Sequence, residues 1–222
     1  MEQTSAANEP SQQNRLMIAV PRGLFLGIYH GIGRLADVLA RYHVSPNFIS
    51  VLALLAGLGA GLLFALRHVI WAAALVIACG VLDVLDGKVA AHSQKKTLTG
   101  AIFDSTLDRY SEFFIYFGLA VYFRPGWALW LPFFAFLGSA MVSYTRARAE
   151  GLGIDCRVGL MQRAERIVLI VIAAIVGGIF HVFDIAMIIV LAAIALVSNF
   201  TAFQRVHHVR RIEIQMKKGK EA

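Results

Sequence analysis

Five of the chain's fourteen acidic residues, Asp83, Asp86, Asp104, Asp108 and Glu112, sit at the end of one strongly apolar run or inside the next. Ionisable side chains at membrane depth are costly and face a polar cavity with a partner. Asp83 and Asp86 are three residues apart and Asp104 and Asp108 four apart, so each pair shares one face of a helix. Gly87 follows Asp83 by four residues and Gly100 precedes Asp104 by four. Each helix thus has a gap beside its carboxylates, where a backbone or a ligand can come close. Four converging carboxylates repel unless a cation joins them. Their hard oxygens suit Mg²⁺ or Mn²⁺, and four can hold two ions about 3.5–4 Å apart, as in phosphoryl transfer. The competing readings are a salt-bridge or metal network that only ties two helices together, and a path for protons or cations. Arg109, the one basic residue inside these runs, cannot by itself neutralise the cluster. Glu112 extends the acidic stripe without an assigned task.

The elements that carry these acids follow from composition. The chain has 222 residues, 58% hydrophobic and 16% charged, with mean hydropathy +0.67. Soluble domains run near 45–50% apolar and about 25% charged. Apolar runs of membrane-crossing character cover residues 47–66, 69–82, 101–123, 127–144, 167–180 and 185–203. The expected fold is all-α, a polytopic bundle of six transmembrane helices paired into three hairpins. Eighteen of the twenty-one lysines and arginines fall on one side of these spans, against Arg67 and Arg124 on the other. The positive-inside rule then puts both termini, the long loops and the acidic cluster at the cytoplasmic face of a cell membrane. The net charge of +7 is accounted for by that bias, which argues against nucleic acid as a partner. Cys79 and Cys156 are too few and too isolated for a disulfide framework or a zinc site.

Residues 1–20 read as a disordered tail without the apolar core of a signal peptide. From Arg22 to Arg41 apolar residues recur at helical spacing among basic ones, as in an amphipathic helix lying along the cytoplasmic leaflet; a helix packed on the loops is the alternative. The membrane domain is expected over 21–206 and a basic tail over 207–222. No internal repeat is visible, so a transporter of duplicated halves gains no support.

Residues 83–108 read DVLDGKVAAHSQKKTLTGAIFDSTLD. This resembles the signature of the CDP-alcohol phosphatidyltransferase family, D-x2-D-G-x2-A-R, a spacer, then G-x3-D-x3-D. Seven of the eight fixed positions match; the family's arginine is Ala91 here, which bears on nucleotide affinity, and Lys88, His92 or Lys95 would have to supply the charge. The resemblance implies transfer of a phosphate-linked group from a CDP-lipid, CDP-diacylglycerol, to an alcohol. It implies that Asp83, Asp86 and Asp104 bind a first metal and Asp83, Asp104 and Asp108 a second. Asp108 is then also the general base for the acceptor hydroxyl. Nucleotide-lipid contacts would come from Gly87, Thr97 and the Ser45, Pro46, Asn47, Phe48 turn, which also reads as a helix N-cap followed by proline.

Residues 143–150, SYTRARAE, and 162–166, QRAER, resemble the S-Y-x-K/R-A-R-A-E and E-R-P-E-R elements of phosphatidylinositol-phosphate synthases and their archaeal ether-lipid counterparts. Gln162 and Ala164 stand where that pattern has Glu and Pro. The resemblance implies that Arg146, Arg166 and Arg205 bind the phosphate of inositol 1-phosphate, with glycerol 3-phosphate as the rival acceptor, and that the protein is a homodimer. Guanidinium forks suit a dianionic acceptor. Arg148 is left to the loop, or to a pair with Glu150.

Overall fold

The computed structural model describes residues 22–92, 97–156 and 158–221, and the 1–20 segment lies outside them. Among the described residues all regular structure is helical: α1 (Arg22–Arg41), α2 (Pro46–Ala65), α3 (Val69–His92), α4 (Leu98–Tyr122), a 3₁₀ turn (Trp127–Leu129), α5 (Trp130–Gly151), α6 (Arg163–Ile179) and α7 (Phe183–Glu221).

Local chemistry sets the helix starts. Ser45 caps α2 by accepting from the Phe48 N–H, with Pro46 in the first turn, where its missing N–H costs nothing. Thr97 caps α4 by accepting from the Gly100 N–H at 3.0 Å. Gln162 and Glu165 form a capping box at the start of α6. Arg67 and His181 turn the chain between α2 and α3 and between α6 and α7 with φ of 67° and 57°, the left-handed conformation that ends helices.

Among the described residues four helical segments are long and apolar enough to cross a membrane: Pro46–Ala65, Val69–His92, Trp127–Gly151 and Phe183–Lys218. The chain is a multi-pass membrane protein. The difference from six spans has a physical source. Helix α4 is 25 residues long but carries Asp104, Asp108, Arg109 and Glu112 in its first half, and α6 has only 17 residues. Helices α3, α5 and α7 also run well past their apolar stretches. Asp83 and Asp86 therefore stand in unbroken helix, and α7 continues without interruption from the apolar segment into residues 207–221.

Helices α3 and α4 touch each other over little of their length; each packs instead on α2. Contact between α2 and α4 is backbone to backbone. A Cβ added to Gly118 would lie 2.0 Å from the Gly61 carbonyl oxygen, and one added to Gly61 would lie 2.1 Å from that of Phe114. Helix α3 also packs on α6, and α5 packs on α7. Phe64, Val76, Leu119, Met187, Leu191 and Ile194 are fully enclosed among these helices. Outward-facing Leu58, Leu62, Ile189, Leu196 and Phe203 give the bundle the apolar exterior of a helix set immersed in lipid. Helix α1 docks on this bundle through Ala36, which is fully buried against Ile49, Leu85 and Val89, with Ile32 and Leu39 alongside. Asp37 pairs with His92 at the end of α3 at 3.2 Å. Leu35 and Val38 face outward, so the apolar residues of α1 divide between the bundle and its surroundings.

Candidate active site

Helix α3 supplies Asp83 and Asp86, and the first half of α4 supplies Asp104 and Asp108. Asp83, Asp104 and Asp108 are half-buried, and each offers a carboxylate oxygen within 4.8 Å of the other two. Asp86 stands outside that group of three. It is buried, its Oδ2 accepts from the Ser50 hydroxyl of α2 at 2.7 Å, and its carboxyl adjoins Asp104. Thus α2, which separates the two acid-bearing helices over most of their length, also tethers one carboxylate.

The cluster has a cation in its midst that the sequence did not disclose. Arg163, the first residue of α6, donates from Nη1 to Asp83 Oδ1 at 2.8 Å, and the same nitrogen contacts Asp108 Oδ2. Arg109 reaches Asp108 at 3.8 Å, bonds the Ser143 hydroxyl of α5, and approaches Glu112 Oε2 at 3.4 Å. Glu112 Oε1 in turn accepts from Arg166 Nε at 3.2 Å and Nη2 at 3.0 Å. Alternating charges therefore run from Asp83 through Arg163, Asp108, Arg109 and Glu112 to Arg166. The reading that left Arg109 alone against the acids is corrected: three arginines share the work, and Glu112 is the counter-charge of two of them. Two arginines on the first turn of α6 oppose the positive end of its dipole, so the carboxylates facing them stabilise that helix start.

Arg163 Nε and Arg166 Nη1 are buried without a hydrogen-bond partner. A cavity of about 10 Å³ is lined by both arginines with Cys79, Ser111, Glu112 and Tyr116.

Other residues singled out in the sequence fall into two groups. At the start of α4, a Cβ on Gly100 would meet Thr97 Oγ1 at 2.9 Å and Asn47 Oδ1 at 3.5 Å. The 45–48 turn and the Thr97 turn are thus neighbours, with Ser45 and Thr97 both used as caps and Phe48 exposed. Space beside Gly87 is open, with no atom within 4 Å of a built Cβ. Of the candidates for the charge absent at Ala91, His92 is engaged by Asp37, and Lys95 lies outside the described residues.

The second group is basic. Arg205 lies within electrostatic range of Arg146 and Arg166, so the three expected phosphate contacts do share a region. Each already has protein partners. Arg146 pairs with Glu150 at 2.8 Å, so of the two readings left open for Arg148 the pair with Glu150 is taken by its neighbour. Arg205 donates to the Val158 carbonyl at 2.9 Å and to that of Val142, tying α7 to the loop before α6 and to α5. Arg166 is fully buried against Glu112. The QRAER element contained the missed residue, Arg163, one turn before Arg166. Its partner Asp83 lies 80 residues away, and no local pattern links the two.

The donor set suits a divalent cation: three carboxylate oxygens converge from partly buried side chains that already draw a guanidinium. Residues 43–201 match the profile of the CDP-alcohol phosphatidyltransferase family. The chain is 40% identical over 180 residues to archaetidylinositol phosphate synthase of Methanothermobacter thermautotrophicus, covering 80% of this chain and 90% of that one. It is 31% identical over 188 residues to phosphatidylinositol phosphate synthase of Cutibacterium acnes, with 80% and 91% covered. The crystal structure of phosphatidylinositol phosphate synthase of Mycobacterium tuberculosis with CDP-DAG bound superimposes with a TM-score of 0.71 at 27% identity, over 80% of this chain and 92% of that one. A structure of the same enzyme in complex with manganese and citrate gives 0.72 at 27% identity, over 80% and 88%. The chain belongs to the CDP-alcohol phosphatidyltransferase family and is an enzyme of that class.

Proposed function

We propose that the protein transfers the phosphatidyl group of CDP-diacylglycerol to the hydroxyl of a phosphorylated alcohol, inositol 1-phosphate, and releases CMP. The observation that carries this reading is the meeting of Asp83, Asp104 and Asp108 from two helices in a chain of this family. Two of the relatives are synthases of inositol phosphate lipids, archaetidylinositol phosphate and phosphatidylinositol phosphate, which supports the choice of acceptor.

In this reading Asp83, Asp86, Asp104 and Asp108 would hold two Mg²⁺ or Mn²⁺ ions. Bound divalent ions neutralise the diphosphate and stabilise the charge that collects on departing CMP. Asp108 takes the acceptor's proton as its oxygen attacks the lipid-bearing phosphorus, and the bond from that phosphorus to CMP breaks. Gly87, with open space beside it, lets the nucleotide approach the α3 backbone, and the Ser45–Phe48 turn with Thr97 borders the same end of the bundle. Arg146, Arg166 and Arg205 supply the positive field for the acceptor phosphate. Arg146 and Arg205 must exchange a present partner for the ligand.

The same reading takes α2 to α7 as six spans within a domain over 21–206, followed by a basic tail over 207–222. It places the site and both termini on the cytoplasmic face and makes the protein a homodimer. It also takes α1 as the juxtamembrane helix.

The test is CMP release by purified protein with CDP-diacylglycerol and Mn²⁺ or Mg²⁺, against inositol 1-phosphate, glycerol 3-phosphate, inositol and serine. Release with inositol 1-phosphate and none with unphosphorylated inositol is expected. Release with glycerol 3-phosphate alone would replace the acceptor, and equal release with unphosphorylated alcohols would remove the arginines from acceptor binding.

A further inference from the structure

Arg163 has two properties that bear on each other. Its Nη1 occupies the space between Asp83 and Asp108, two of the three carboxylates that converge within 4.8 Å. Its other buried nitrogen, Nε, has no partner. A guanidinium settled in its final environment would satisfy its donors more fully, since buried donors without partners are rare and costly. Helix α6 brings this cation to the cluster from outside the two helices that carry the acids, and it does so from a first turn where a positive charge opposes the dipole. One carboxylate oxygen of Asp108 cannot both hold this nitrogen and bind a divalent ion at full strength.

We propose that Arg163 is a tethered cation that holds Asp83 and Asp108 together in the metal-free protein and competes with divalent metal for them. Metal loading displaces its guanidinium from the two carboxylates and frees it on the α6 turn that also carries Arg166. Arg163 is then a positioning residue: it keeps like charges from forcing α3 and α4 apart, at the cost of weaker metal binding. The inference rests on the assignment of the aspartates to metal, and the experiment separates the two.

Mn²⁺ binding is measured directly on purified protein in detergent, by loss of the free-ion EPR signal, for wild type, Arg163→Gln, Arg109→Gln and Asp104→Ala. Removing a unit charge a few ångströms from the ion is expected to tighten Mn²⁺ binding about tenfold or more in Arg163→Gln. Arg109→Gln removes the same charge, but that residue sits 3.8 Å from Asp108 and bonds Glu112 and Ser143, so its effect is expected to be under about threefold. Melting without metal should fall in Arg163→Gln and recover on adding Mn²⁺ by more than in wild type. If Arg163→Gln does not fold, Arg163→Met, which keeps a long side chain and drops its charge, takes its place, and its affinity should likewise exceed that of wild type. Wild-type affinity, or weaker, in the Arg163 variant overturns the competition while leaving the metal site standing. An effect in Arg109→Gln equal to that in Arg163→Gln reduces it to general electrostatics and overturns it as well. Absence of Mn²⁺ binding in wild type, or binding unaltered in Asp104→Ala, overturns the metal assignment itself.

Discussion

Glu112→Ala removes the carboxylate that accepts two hydrogen bonds from Arg166 and lies 3.4 Å from Arg109. Arg166 is at 0% exposure and Glu112 at 5%, so the change leaves a guanidinium enclosed with no counter-charge beside it. Breaking a buried ion pair from one side costs about 3–5 kcal/mol. A chain of this size loses roughly 2–4 °C of melting temperature per kcal/mol, which gives a drop of about 6–20 °C. Both cysteines are buried, so a thiol-reactive dye reports unfolding as Cys79 and Cys156 become accessible. The double variant Glu112→Ala with Arg166→Ala should melt above the value obtained by adding the two single losses, because the second change removes the orphaned charge. A drop under about 3 °C in the single variant, or strict additivity in the double, would refute the view that this pair is a buried charge relay.

Asp83→Ala, Asp104→Ala and Asp108→Ala should each abolish CMP release while the protein still elutes as a folded species, checked by activity and size-exclusion profile. Gly118→Val should abolish folded yield, since even a Cβ there would lie 2.0 Å from the Gly61 carbonyl, whereas Gly87→Ala should melt like wild type and raise the KM for CDP-diacylglycerol. Arg205→Ala should raise the KM for the phosphorylated acceptor more than that for the CDP-lipid. Some loss of melting temperature should accompany it, because the bonds to Val158 and Val142 go with it.

What the sequence disclosed and what it hid divide along sequence distance. Asp83 with Asp86 and Asp104 with Asp108 were legible because helical spacing alone puts each pair on one face. Ser45 was legible as a cap because its partner lies three residues away; Thr97 caps over the same distance but was read only as a ligand contact. Arg163 with Asp83, Arg166 with Glu112, and Ser50 with Asp86 are separated by 80, 54 and 36 residues, and only the packing of α2, α3, α4 and α6 joins them. The role of α2 as the partner of both acid-bearing helices was equally hidden. The backbone contact at Gly57, Gly61 and Gly118 was not read from the sequence, because nothing local to a glycine says which helix it meets. Helix ends were underestimated because hydropathy fades at the polar boundary while α3, α5 and α7 continue through it, which is how Asp83 and Asp86 come to stand inside a helix.

In the proposed mechanism, carboxylates from α3 and α4 share divalent metal. Anomalous diffraction from crystals of the protein grown with Mn²⁺ tests it most directly. A peak in contact with Asp83, Asp104 and Asp108 is expected. A peak elsewhere on the molecule, or crystals with saturating Mn²⁺ and no peak at these side chains, would contradict it.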